Sequence, residues 1–87
     1  MKEIDEYVWF EIKKKSNTRQ SHFVKYATDS ESEALARLKM DIHRGSVFCT
    51  ILSNGKSYQI MKDDIASYNK VSPAYIESRK QWFVANS

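Results

Sequence analysis

Long apolar runs are missing from this chain: no uninterrupted stretch exceeds four residues. A membrane-spanning helix needs roughly 20 apolar residues, so none is expected, and no basic-then-apolar leader marks export. With one cysteine, Cys49, an intrachain disulfide is excluded, and its apolar neighbours suggest a reduced, buried thiol. A soluble, cytoplasmic protein is the expectation. Two glycines and one proline leave little punctuation, and no repeat, low-complexity tract or linker divides the chain. The 87 residues read as one domain over 1–87, close to the size at which a single core becomes marginal.

The common catalytic and metal-binding signatures are missing too. The sequence has no Gly-x-Ser-x-Gly elbow, no glycine-rich phosphate loop and no His-Glu-x-x-His pattern. His22 and His43 are far apart and cannot form a closely spaced zinc pair with Cys49. No catalytic residue, metal or cofactor is expected, and the chain reads as a non-enzyme. Asp63 and Asp64 are adjacent acids at the start of a helical turn, where they suit the dipole.

What is present is enough to fold. Hydrophobic residues make up 41% of the chain and aromatics 13%, so a packed core is expected over disorder. Residues 7–12 alternate Val8, Phe10 and Ile12 against Tyr7, Trp9 and Glu11, the period of a strand. Residues 21–27 resume that pattern after a polar connection, which predicts an antiparallel hairpin. Thr28 with Glu31 and Ser30 with Glu33 form overlapping capping boxes. They announce a helix that runs to about Arg44 and stops at Gly45, with Ala34, Leu35, Leu38 and Ile42 on one stripe.

Asn54-Gly55 lies between strand-like segments at 47–52 and 57–61 and predicts a two-residue hairpin loop. That register pairs Ile51 with Tyr58 and Cys49 with Ile60. Val47, Cys49, Ile51, Tyr58 and Ile60 then face the core, and Phe48, Thr50, Leu52, Gln59 and Met61 face away. Residues 63–68 read as a short helical turn. Ser72-Pro73 starts a last helix, with Tyr75, Ile76, Trp82 and Phe83 on its stripe. The expected fold is α+β in ββαββα order. It is a two-layer sandwich of a four-stranded antiparallel sheet, made of two hairpins, with both helices on one face.

Two surfaces invite partners. If both helices cover one side of the sheet, then Tyr7, Trp9, Phe48, Leu52 and Met61 remain on the other. Their residue types are those enriched at interface cores. This predicts a protein-interaction module that binds itself or another protein. The competing arrangement folds the last helix across that face, with Tyr75, Trp82 and Phe83 as cover. Compact α+β proteins of this type are frequent among phage and mobile-element products that bind and block host proteins, an analogy of type only.

The second surface is basic. Lys13, Lys14, Lys15, Arg19 and Lys25 follow one another without an acid, although the net charge is only +3. Around a hairpin tip they would attract nucleic acid, with Tyr7 and Trp9 as stacking platforms. Lysines that merely finish a strand and guard its edge would look the same. Finally, residues 55–65, Gly-Lys-Ser-Tyr-Gln-Ile-Met-Lys-Asp-Asp-Ile, resemble the wing-then-helix segment of excisionase-like winged-helix proteins. That resemblance implies a helix-turn-helix ahead of the wing, where 47–52 reads as strand, and no function is carried over.

Overall fold

The computed structural model describes residues 6–85, with side chains described for 6–82. The first hairpin forms where the alternation places it: β1 (Val8–Lys14) pairs with β2 (Ser21–Tyr26), setting Phe10 against Val24 and Ile12 against His22. The helix α1 (Glu31–Arg44) begins at Ser30, whose Oγ accepts from Glu33 N at 3.2 Å. Thr28 donates to Glu33 Oε2 at 3.1 Å, so its partner is Glu33 instead of Glu31. Gly45 ends the helix at φ 123° and donates its N–H to Ile42 O. A β-carbon there would strain the backbone.

The second hairpin, β3 (Ser46–Thr50) and β4 (Ser57–Met61), forms in a different register from the one expected. Cys49 pairs with Tyr58 and Val47 with Ile60. Ile51 N donates to Lys56 O at 2.7 Å, which closes a four-residue loop over 52–55. Gly55 takes the left-handed position in it, at φ 73°, and donates to Ile51 O. The shift is two residues, so each strand residue keeps its face. The cost falls on Ile51, which leaves the core for 37% exposure, while Leu52 turns inward to 7%.

After β4 a single 3₁₀ turn (Lys62–Asp64) leads into a fifth strand, β5 (Ile65–Val71). The helical turn expected over 63–68 is therefore cut short, and the segment likened to a wing and helix is strand, turn and strand. The sheet is five-stranded and antiparallel, in the order β4-β3-β2-β1-β5. It replaces the expected four-stranded one.

The order has a geometric consequence. Its edge strands β4 and β5 are four spacings apart, about 19 Å if the sheet were flat. From Met61 to Ile65 the chain reaches at most about 14 Å. The sheet must curl, and backbone bonds from Lys62 N to Gly45 O and from Lys15 N to Asp64 O hold it so. The concave side carries Val8, Phe10, Ile12, Val24, Val47, Cys49 and Ile60, covered by Ala34 and Leu38 of α1.

The last helix, α2 (Pro73–Ala85), starts where Ser72-Pro73 announces it, with Ser72 Oγ accepting from Tyr75 N. It does not join α1. Ile76 packs with Phe23 and Leu52, and with Trp9 and Val71 beside them, on the convex side. The two helices thus lie on opposite faces of the sheet, which corrects the two-layer arrangement. Trp82 is 52% exposed and does not continue the buried stripe begun by Ile76, and the Phe83 side chain lies outside the described residues. No helix among the described residues is long and apolar enough to cross a membrane.

Candidate functional site

Alternation on β1 sends Trp9 to the convex side, opposite Phe10, and the same alternation on β2 sends Phe23 and Lys25 there. Thr50 pairs with Phe23, so Thr50 and Phe48 of β3 belong to this side, with Met61 of β4 next to them through Ser46. Helix α2 crosses only part of this surface. Tyr75 anchors it, donating its hydroxyl to Glu11 Oε2 at 2.7 Å with its ring 6.2 Å from Phe23. Both the Glu11 carboxylate that accepts this bond and burial push the Tyr75 hydroxyl above its ordinary value. Toward β3 and β4 the surface stays open: Phe48 is 64% exposed and Met61 57%.

Between the start of α2 and the 52–55 loop runs a groove of about 520 Å³. Its apolar lining comes from Trp9, Ile51, Leu52, Pro73 and Ile76, and Lys25, Lys80 and Glu77 also line it. Thr50 carries the groove toward Phe48, two residues back on the same face. The Lys25 ammonium is 4.6 Å from the Tyr7 ring centre and 5.6 Å from that of Trp9. Such cation–π contacts hold the lysine over the aromatics at a modest gain of about 0.5–1 kcal/mol each when exposed.

The five apolar residues singled out in the sequence thus share one side of the sheet, in different states. Phe48 and Met61 stand free, Tyr7 lies under Lys25, Trp9 is half-buried in the groove, and Leu52 is buried against Ile76. The contribution of Ile76 and Lys80 was missed, because the groove exists only once α2 lies on the convex side.

The five basic residues are not brought together. Lys13 Nζ donates to Ser21 Oγ at 2.8 Å and lies 4.0 Å from Glu11. Lys14 points to the concave side and pairs with Asp64 at 3.4 Å. Lys15 and Arg19 are exposed at the tip. Lys25, paired with Trp9, lies at the far end of the hairpin, about 13 Å along the strand from Ser21. Asp64 does more than serve a helix dipole. It accepts from Ser16 N and Ser16 Oγ, both at 2.9 Å, and so clamps the tip to the start of β5. Those bonds, with Lys14 beside them, hold its carboxyl below the ordinary aspartate value.

Cys49 is fully buried, and burial pushes its thiol up to about 12 against the opposing pull of Lys14. It stays protonated near neutrality. Among the described residues no group of three or more His, Cys, Asp or Glu side chains could hold a metal ion.

The buried imidazole of His22 gives the first testable consequence. Its Nδ1 is hydrogen-bonded with the Tyr58 hydroxyl on the concave side. Burial, then Lys14, with Lys13 adding and Asp64 opposing, holds it below its ordinary 6.5. The unfolded chain therefore takes up a proton that the folded chain refuses, so the stability His22 contributes is complete above about pH 6.5 and is lost as pH falls through the histidine range. We expect the thermal midpoint to fall between about pH 7.5 and about pH 5, and His22→Gln to flatten that fall. An identical pH slope in the variant would show that His22 is not the group responsible.

Comparison with protein-family models, with curated proteins and with solved structures found no match for this chain.

Proposed function

We propose that this chain is a non-enzymatic protein-interaction module, with a cytoplasmic location as part of the same reading. Its contact surface is the open part of the convex face. An extended apolar segment of a partner protein lies in the groove over Trp9 and Leu52 and continues across Phe48 and Met61. The observation that carries this reading is that the groove shares the convex side of the sheet with two large apolar side chains, Phe48 and Met61, that are more than half exposed. A small protein holds such groups in water at no benefit to its own core, and large apolar side chains exposed beside a groove commonly mark an interface.

The module does not need α2 to leave. The helix forms one wall, the 52–55 loop the other, and the curled sheet the floor. Lys25 and Lys80 at this groove favour a partner segment that carries acids beside its apolar residues, since opposite charge speeds encounter and fixes orientation.

The test is selection of binders from a random peptide library displayed on phage. We expect clones with alternating apolar residues whose affinity falls at least about tenfold on Phe48→Ser, the size of effect a central apolar anchor produces. Because Phe48 is exposed, that variant should melt like the wild type. Clones that bind Phe48→Ser as well as the wild type, or a library that yields none, would overturn the proposal. Sedimentation runs alongside: a dimer abolished by Phe48→Ser would make a second copy the partner.

A further inference from the structure

Beyond one shared pair, Phe23 with Thr50, strands β2 and β3 part. The same register would next set Ser21 against Leu52. Leu52 turns instead to Ile76 on the convex side, and Ile51 N is taken by Lys56 O. Where the two segments diverge, a recess of about 290 Å³ opens between residues 20–23 and residues 50–53, with Tyr58 of β4 also in its lining. It is a cavity apart from the groove, although residues 50–53 line both.

The lining is apolar with uncharged polar spots. Phe23 and Leu52 are buried there, and Ile51 is 37% exposed. Ser21, Thr50 and Ser53 add hydroxyls and Gln20 an amide, and among the described residues no carboxylate, ammonium or guanidinium lines it. Lys13 reaches Ser21 Oγ from outside, with Glu11 4.0 Å away to offset its charge.

His22 sets this recess apart from an accidental gap. The residue is 6% exposed, lines the cavity and has its Nδ1 hydrogen-bonded with the Tyr58 hydroxyl. The two rings meet edge to face, 5.4 Å between centres. The other ring nitrogen, Nε2, is buried with no hydrogen-bond partner. Buried polar side-chain atoms are nearly always paired, so an orphan in the wall of a cavity points to a group held there.

We infer that this recess binds an uncharged, single-ring molecule bearing an amide, with the ring against Phe23, Ile51 and Leu52 and the amide on His22 Nε2. The volume lies at the lower end for ligand cavities, which suits one ring and one substituent. An amide both donates and accepts, so it meets Nε2 in whichever tautomer the Tyr58 bond selects. A charged ligand would give up its hydration to walls that hold no opposite charge. In the sequence His22 is one polar residue among others, and the recess exists only because β2 and β3 separate.

The test uses the full chain at about pH 7.5, where His22 is uncharged, and nitrogen–proton correlation spectra. The probes are benzamide and its charged counterparts of similar shape, benzoate and benzylamine. We expect benzamide to move the amides of 20–23 and 51–53 saturably, with a dissociation constant of about 0.1–1 mM, as a ligand of about nine heavy atoms allows. Both charged compounds should bind at least about tenfold more weakly. In the wild type the His22 Nε2 resonance should move with benzamide while that of His43, exposed on α1, stays fixed. His22→Phe should weaken benzamide about tenfold, the loss of one buried hydrogen bond, and Phe48→Ser should change nothing.

Absence of saturable shifts at these residues would overturn the inference, as would benzoate or benzylamine binding as tightly as benzamide. A His22 Nε2 resonance that does not move in the benzamide-saturated wild type would also overturn it, and that measurement needs no variant to fold.

Discussion

Replacing Leu38 by alanine should cost about 3–5 kcal/mol of stability, read from urea unfolding curves at constant slope. Leu38 is fully buried, and it sits with Ala34 at the centre of the concave cluster formed by Val8, Phe10, Ile12, Val24, Val47, Cys49 and Ile60. The side chain is flanked on its own helix by Leu35 and Ile42, both only partly buried and packed against the same cluster. Residual cavity raises the loss above the transfer term alone. Met40 on the same helix is 53% exposed and provides the control: Met40→Ala should stay within about 0.5 kcal/mol. A loss for Leu38→Ala below about 1 kcal/mol would mean that α1 does not seal the concave side.

That helix was legible because every local signal agreed: cap, charge order, apolar stripe and glycine stop all lie between Thr28 and Gly45 and need no tertiary partner. The fifth strand was not, and the reason is a bulge. Ile65, Tyr68 and Val71 recur at spacing three, which reads as helix. In the sheet Ser67 pairs with Lys13 and Ile65 with Lys14, so Ala66 is an extra residue without an opposite partner. The inserted residue turns both Ile65 and Tyr68 to the concave core, while Val71 joins the convex cluster. One unpaired alanine was enough to disguise the strand's period of two.

The second hairpin was half legible for a related reason. Asn54-Gly55 marked the turn, but the four-residue loop it belongs to is stabilised by Leu52 inserting against Ile76, a contact 24 residues on in the chain. Nothing between 47 and 61 carries that information. The same holds for the candidate site. Phe48 and Met61 could be placed on an outer face by alternation alone. The groove needs the position of α2, which is set by long-range packing.

The second large effect addresses that packing. Phe23→Ala should cost about 3–5 kcal/mol, as removal of a buried phenyl ring does. Phe23 is 2% exposed and supports Ile76, Leu52 and the Tyr75 ring on the convex side, with no help from α1. A helix of 13 residues is marginal in water without tertiary contacts. Losing its platform should therefore do more than lower the unfolding midpoint. It should unfold α2 locally while the curled sheet and α1 persist. Amide hydrogen exchange distinguishes the two events: in Phe23→Ala the amides of 76–85 should exchange well ahead of those in α1, and far-UV ellipticity of the folded baseline should lose a helical share. If α2 amides remain as protected as those of Leu38 and its neighbours, the convex cluster is not what holds the helix. Because α2 forms one wall of the groove, Phe23→Ala should weaken peptide binding along with the helix, whereas Phe48→Ser should weaken it with α2 in place.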